Sequence, residues 1–267
     1  MISSNNFSVT IKTKRIEVEP KKKPDKLAFF LPNIFTSLNI ACGFTAILFS
    51  VQQDFSKACF LIILGAVFDS VDGRVARLVG AQSSFGEQYD SLSDLITFGM
   101  APSLIFYNKF LIGTGRVGMV VSFFFLLCGA LRLARFNANI TRVKSDYFQG
   151  IPIPGAASAI IGYIYLSDVF PTYLNNSYFA VPYISFYAFL MISNLPFNSF
   201  KNSKWVRIHK RKSLFIIIIL AISILSYHEV MLFAVISVYV VASILYLLTH
   251  RKKFAHIFDW DEDEEKV

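Results

Sequence analysis

Charge is scarce in this chain. Asp, Glu, Lys and Arg make up 16% of its 267 residues, whereas 54% are hydrophobic. A soluble globular domain carries about 25% charged residues, so the composition excludes that class. The apolar residues form continuous runs of about 20, which is the length of a membrane-crossing helix rather than of an alternating barrel strand. We therefore predict an all-α, polytopic integral membrane protein.

Cysteine is also scarce. Cys42, Cys59 and Cys128 fall inside apolar runs without metal-ligand spacing, which argues against a disulfide framework. The net charge of +8 does not indicate nucleic acid, because Lys and Arg lie beside the apolar runs, as membrane topology requires. Residues 1–28 are polar and lack the apolar core of a signal peptide.

Eight membrane spans are predicted from the apolar runs. They lie at 30–51, 56–77, 87–108, 116–136, 153–171, 178–197, 213–227 and 230–249. The seventh is short and would need tilt or local thinning of the bilayer. The spans define a transmembrane domain over 29–250, between a polar amino-terminal segment (1–28) and a charged carboxyl-terminal tail (251–267).

Lys and Arg concentrate in alternate loops and at both termini. The loops on the opposite side hold only Lys57, Lys109 and Arg116. Positive charge is retained on the cytoplasmic side of a membrane. We therefore expect a cell-membrane (inner-membrane) protein with both termini, and the loop between the second and third spans, facing the cytoplasm.

Four aspartates interrupt the apolar pattern at the end of the second span and the start of the third. They are Asp69, Asp72, Asp90 and Asp94. Each pair shares one helix face because its members are three or four residues apart. A carboxylate at the centre of a membrane helix costs about 2.5–3.5 kcal/mol. Two antiparallel spans would bring both faces together, and the four carboxylates would then need cations.

The predicted ligand is a divalent metal, because hard oxygen donors select Mg²⁺, Mn²⁺ or Ca²⁺ over zinc. A pair of such ions suits phosphoryl chemistry. Gly73, Ala76 and Gly86 leave room for a flat base or a phosphate near the backbone, and Arg77 is placed to meet a phosphate. One carboxylate that is not saturated by metal would act as general base toward a hydroxyl.

These residues resemble the motif of the CDP-alcohol phosphatidyltransferases, with every fixed position filled. The matching positions are Asp69, Asp72, Gly73, Ala76, Arg77, Gly86, Asp90 and Asp94. The resemblance implies a dimeric helical membrane enzyme with a six-helix catalytic core. It would transfer a phosphatidyl group from CDP-diacylglycerol to an alcohol and release CMP.

The resemblance also implies roles for the motif residues. Asp69, Asp72 and Asp90 would be metal ligands, and Asp94 would be the general base with a further metal contact. The small residues of the motif would pack against the cytidine, and Arg77 would lie near the phosphates.

Two further stretches, 129–137 (GALRLARFN) and 148–157 (FQGIPIPGAA), resemble the phosphatidylserine synthase branch of this family. So does the entry to the first span, with Pro32, Asn33, Thr36 and Asn39. This likeness implies L-serine as the acceptor. Thr36 and Asn39 share a helix face and would either donate to the nucleotide or bond to a neighbouring helix.

The acceptor residues are predicted from charge. An amino acid brings a carboxylate, and Arg132 and Arg135, followed by Asn137, offer a fork that suits it. Alternatively, both arginines are ordinary positive-inside anchors. Two other functions stay open: the same chemistry with glycerol 3-phosphate, inositol or choline as acceptor, and a divalent-cation transporter that uses the aspartates as its ion path.

Overall fold

The computed structural model describes residues 26–138, 147–198 and 226–249, with isolated positions between 212 and 223. The described helices are α1 (Lys26–Val51), α2 (Phe55–Leu78), α3 (Ser84–Asp94), α4 (Ala101–Phe106), α5 (Arg116–Ala138), α6 (Ile153–Val169), α7 (Pro171–Leu174), α8 (Ser177–Ile192) and α9 (His228–Thr249). Most of the amino-terminal segment, the tail 251–267 and most of the seventh predicted span lie outside the described residues.

The helical prediction is confirmed for the described part of the chain. Helices cover the first to sixth predicted spans and the eighth. Helix α8, which corresponds to the sixth predicted span, ends at Ile192 rather than at residue 197, because a short strand follows it. Four described stretches are long and apolar enough to cross a membrane: Phe30–Val51, Ser84–Thr114, Arg116–Ala138 and Glu229–Thr249. Two shorter apolar helices, α6 and α8, accompany them.

The third span is less regular than its apolar pattern predicts. Between α3 and α4 lies a π-helical turn at Leu95–Met100, and after α4 come a second π-helical turn at Tyr107–Leu111 and a 3₁₀ turn. Ala101 N–H donates to the carbonyl of Ile96, five residues back. Pro102 follows and has no N–H to continue the ladder. This π-helical turn begins directly after Asp94.

Small residues let α1, α2 and the first π-helical turn approach closely. A Cβ atom added at Gly65 of α2 would lie 2.8 Å from Asn39 Oδ1 and 2.8 Å from Thr97 Cγ2. One added at Gly43 of α1 would lie 2.6 Å from Thr97 Oγ1. Contacts of this kind are typical of helix packing in membranes, where apolar burial drives association less than close backbone approach.

Among the described residues are two three-residue strands that the sequence analysis did not predict, one before α6 and one after α8. Strand β1 (Tyr147–Gln149) pairs antiparallel with β2 (Pro196–Asn198). The ring of Phe197, which is fully buried, lies 5.8 Å from that of Tyr239 on α9. Helix α9 also packs on α6, where an added Cβ at Gly162 would lie 2.8 Å from Phe233 N. The last helix thus packs against β2 and against α6.

Candidate active site

Four carboxylates meet where α2 and α3 face each other. Asp69, Asp72 and Asp90 each offer an oxygen, and these atoms lie within 4.8 Å of one another. The carboxyl groups of Asp69 and Asp94 are also close enough to interact electrostatically. The predicted convergence of the two helix faces is therefore present in the fold.

The donor set suits a divalent cation. Asp72 is 4% exposed, and the Oδ1 atoms of Asp90 and Asp94 are buried without a hydrogen-bond partner among the described residues. Burying an unpaired charged oxygen is costly, and a coordinated cation would satisfy it. Carboxylate oxygens without Cys or His are the ligands that Mg²⁺, Mn²⁺ and Ca²⁺ prefer. The cluster can therefore hold a metal ion.

Helix α1 contributes a hydroxyl to the cluster. Thr36 Oγ1 donates to Asp72 Oδ2 at 2.8 Å, so one of the two roles predicted for Thr36, the bond to a neighbouring helix, is present. Asn39 lies one turn further along α1 and is fully buried. Neither atom of its amide group has a hydrogen-bond partner within the described chain.

A cleft of about 230 Å³ opens beside the carboxylates. Its wall includes every small or basic residue predicted to face the nucleotide: Gly73, Ala76, Arg77 and Gly86. Arg77 is exposed, and its Nε donates to the Gly73 carbonyl at 2.9 Å. Gly86 N donates to Ser83 Oγ at 3.0 Å, which caps the start of α3. The cleft is smaller than the ~300 Å³ common for ligand pockets, but it is open to one side.

The cleft has further lining residues to which the sequence analysis gave no role. They are Pro32, Asn33, Ala81, Gln82, Ser83 and Glu87. Asn33 stands in the Pro-Asn entry to the first span, so the resemblance in that segment was an available signal. The loop residues from 81 to 83 carried no comparable pattern, because their place on the wall depends on how the chain turns between α2 and α3.

The two arginines of α5 differ in environment. Arg132 is 8% exposed, its Nε has no partner among the described residues, and the negative charge of Asp94 acts on it. The guanidinium of Arg135 instead donates to backbone carbonyls at the end of α8, including Ile192 at 2.9 Å, and to the carbonyl of Gln149 at 3.1 Å. The acceptor role of Arg135 stays a prediction.

Asn137, the third predicted acceptor residue, bonds to α3. Its Nδ2 donates to Ser91 Oγ at 3.0 Å, and Ser91 lies one residue after Asp90. This bond ties the end of α5 to the helix that carries two of the carboxylates. The acceptor role of Asn137 likewise stays a prediction.

The fold and the cluster define a class: a helical protein with carboxylates for metal held between two adjacent helices, beside a cleft with a basic rim. Comparison with known families identifies it further. The family model for CDP-alcohol phosphatidyltransferase matches residues 29–192. The chain belongs to this family. The long apolar helices and the family fit a membrane protein.

Curated relatives extend the likeness beyond the motif. The CDP-diacylglycerol–serine O-phosphatidyltransferase of Helicobacter pylori strain 26695 is 37% identical over 197 residues, which cover 73% of this chain and 81% of the relative. That of Methanocaldococcus jannaschii is 40% identical over 173 residues, covering 65% of this chain and 76% of the relative. The archaetidylserine synthase of Methanothermobacter thermautotrophicus is 40% identical over 132 residues, which cover 49% of this chain and 55% of the relative.

Proposed function

We propose that this protein transfers the phosphatidyl group of CDP-diacylglycerol to the hydroxyl of L-serine, giving phosphatidylserine and CMP. The observation that supports this acceptor is the environment of Arg132: its guanidinium is buried, its Nε has no partner among the described residues, and the charge of Asp94 acts on it. A buried cation of this kind suits an acceptor that brings its own carboxylate. The names of the relatives support the same acceptor.

Asp69, Asp72 and Asp90 would hold the divalent ions, which we propose to be two Mg²⁺ or Mn²⁺. Such ions neutralise charge on a pyrophosphate and stabilise the leaving oxygen. Asp72 is oriented for this role by the hydroxyl of Thr36. The short separation of the three carboxylate oxygens supports a shared site rather than three independent ones.

Asp94 would be the general base and would retain a metal contact. It would take the proton of the serine hydroxyl, whose oxygen then attacks the phosphorus that bears the diacylglycerol. The new serine–phosphorus bond forms as the bond to CMP breaks, and the electron pair of that bond leaves with CMP. Among the described residues, no Ser, Cys or His side chain contacts these carboxyls as a nucleophile would, which favours direct displacement.

The cleft between α2 and the start of α3 would bind the nucleotide. The cytidine would fit against the part of the wall formed by Gly73, Ala76 and Gly86, because these residues have little or no side chain. Arg77 would reach the phosphates from the rim. Thr36 lies on the same wall. Asn39 would contribute from one turn deeper, through the amide that lacks a partner among the described residues.

We also propose that the carboxylates and both termini face the cytoplasm, since the loops on that side carry the excess of Lys and Arg. This location gives the site access to soluble serine and CMP and, sideways, to the lipid. The homodimer implied by the family resemblance remains part of this proposal.

The test is acceptor-dependent CMP release by the purified protein. With CDP-diacylglycerol, Mn²⁺ or Mg²⁺ and labelled L-serine, we expect labelled phosphatidylserine and an equal amount of CMP. Glycerol 3-phosphate, inositol and choline should each release little CMP under the same conditions. If one of these alcohols gives a lipid product and serine does not, that alcohol is the acceptor and the phosphatidyl transfer itself still stands. Metal flux into proteoliposomes without any nucleotide dependence would instead favour the transporter.

A further inference from the structure

We propose that Ser93 and Thr97 are positioning residues. They would fix the position of Asp90 and Asp94 along the axis of α1, and thereby the geometry of the carboxylate cluster. Ser93 Oγ donates to the main-chain carbonyl of Thr36 at 3.2 Å, and Thr97 Oγ1 donates to the main-chain carbonyl of Asn39 at 2.9 Å. Both residues are fully buried. The inference rests on the metal-dependent function proposed above.

These two bonds are not the usual choice for a helical hydroxyl. Ser and Thr inside a helix commonly donate to a carbonyl one turn back in the same helix. Ser91, on the same helix, does so toward Glu87 at 3.1 Å, and Ser37 of α1 does so toward Asn33 at 2.7 Å. Ser93 and Thr97 instead donate across to a neighbouring helix.

The spacing of the two bonds gives them control over register. Ser93 and Thr97 are about one helical turn apart, and so are their acceptors on α1. Two anchors at this distance resist both sliding and rotation of the third span, whereas one would allow rotation. Asp94 lies between the anchors in sequence and Asp90 lies three residues before the first.

The first anchor is connected to the cluster from both sides. Thr36 accepts the hydrogen bond from Ser93 through its carbonyl and donates to Asp72 through its hydroxyl. A single residue of α1 therefore links Asp72 of α2 to Ser93 of α3, the residue directly before Asp94. Buried networks of this kind hold their members to one arrangement when every group is satisfied.

The second anchor lies where the regular α-helix is interrupted. Thr97 is inside the π-helical turn that starts directly after Asp94, and such turns are rare and often lie at functional sites. Its side chain fills the space left by Gly43 and Gly65, with closest approaches of 2.6 and 2.8 Å to Cβ atoms added there. Thr97 is thus held in place both by its hydrogen bond to α1 and by close packing against α1 and α2.

The experiment compares three variants with one matched control in the purified full-length protein. Ser93→Ala and Thr97→Val remove a hydroxyl, and Thr97→Ser keeps it. The control is Ser103→Ala, because Ser103 lies in the same span and donates to the Ser122 carbonyl of α5 at 3.0 Å, also buried. The measurements are Mn²⁺ binding, from the resonance of free Mn²⁺, and kcat and KM for the acceptor.

Ser93→Ala and Thr97→Val should each weaken Mn²⁺ binding about three- to tenfold, as expected for one lost hydrogen bond, and should lower kcat without changing the serine KM. Thr97→Ser and Ser103→Ala should bind Mn²⁺ within about twofold of wild type, because neither removes an anchor. Asp69→Asn identifies the Mn²⁺ signal that belongs to the cluster. Thermal unfolding midpoints separate loss of fold from loss of position.

Equal Mn²⁺ binding by Ser93→Ala, Thr97→Val and the control would overturn the inference, as would the absence of any Mn²⁺ signal sensitive to Asp69→Asn. If Thr97→Val does not fold, Ser93→Ala against Ser103→Ala decides. A wild type that uses another alcohol would refute serine as acceptor, yet the Mn²⁺ comparison would still decide the role of the two hydroxyls.

Discussion

Asp94 and Asp72 differ in how their oxygens are satisfied, although both belong to one cluster. Asp72 Oδ2 accepts a hydrogen bond from Thr36, whereas Asp94 Oδ1 is buried without a partner in the described chain. A base needs an oxygen free to take a proton, and a metal ligand gains from an oriented one. Asp90 Oδ1 is buried without a partner in the described chain as well, so the choice of Asp94 as the base rests on its place in the family motif.

Asp94→Asn should therefore lower kcat by a factor of about 10²–10⁴, the usual contribution of a general base. Mn²⁺ binding should fall much less, because Asp69, Asp72 and Asp90 remain. The control is Asp54→Asn, since Asp54 caps α2 on the loop after α1 and asparagine is an equally good cap. Serine-dependent CMP release near the wild-type rate in Asp94→Asn would remove the base assignment.

The two arginines of α5 should respond differently to the same substitution. Arg132→Lys keeps the charge but loses the planar fork, so the serine KM should rise about tenfold, equivalent to 1.4 kcal/mol, with stability little changed. Arg135→Lys cannot serve the carbonyls of both Ile192 and Gln149, so the free energy of unfolding should fall by about 2 kcal/mol. The reverse pattern, in steady-state kinetics and thermal melts, would exchange the two roles.

Gly73 offers a test in which stability and affinity change in opposite directions. Among the described residues, a Cβ added there would meet only Arg77 Nη2, at 4.0 Å, and alanine stabilises a helix relative to glycine by up to about 1 kcal/mol. Gly73→Ala should thus keep or raise the melting temperature. The added methyl would still narrow the cleft, so the KM for CDP-diacylglycerol should rise. An unchanged KM would place the nucleotide elsewhere.

Between elements, the decisive contact is the meeting of α1, α2 and the first π-helical turn. Gly65→Ala would place a methyl at 2.8 Å from both Asn39 Oδ1 and Thr97 Cγ2, which is too close without movement. Overpacking of this kind costs about 1–3 kcal/mol.

Gly65→Ala should accordingly lower both the melting temperature and the affinity for Mn²⁺, because the helices that carry the carboxylates must separate. The control is Gly113→Ala, where an added Cβ has no atom of the described chain within 4 Å. If both variants melt and bind Mn²⁺ alike, the close approach at Gly65 does not determine the geometry of the cluster.

For the whole molecule, the distribution of charge predicts the orientation in the membrane. Lys57 and Gln82 are both exposed and lie at opposite ends of α2. In intact cells, a membrane-impermeant maleimide should label Lys57→Cys and spare Gln82→Cys, and in inverted vesicles it should do the reverse. The three native cysteines, Cys42, Cys59 and Cys128, are all buried, so background labelling should be low. Labelling of Gln82→Cys in intact cells would invert the topology.

Local chemistry was enough to predict several features from the sequence. The apolar runs predicted the helices because a bilayer requires about 20 apolar residues per span. The spacing of Asp69, Asp72, Asp90 and Asp94 predicted that their faces would meet, because spacing within a helix determines which residues share a face. The same spacing carried the family resemblance.

The tertiary structure decided the features that depend on contacts between distant residues. The hydroxyl of Thr36 bonds to Asp72, and the hydroxyls of Ser93 and Thr97 bond to α1, but nothing in their sequence neighbourhood distinguishes them from Ser91. Similarly, Arg132 and Arg135 have the same charge and lie on the same helix. Their partners are chosen by the packing of α5 against its neighbours, which no periodicity within α5 encodes.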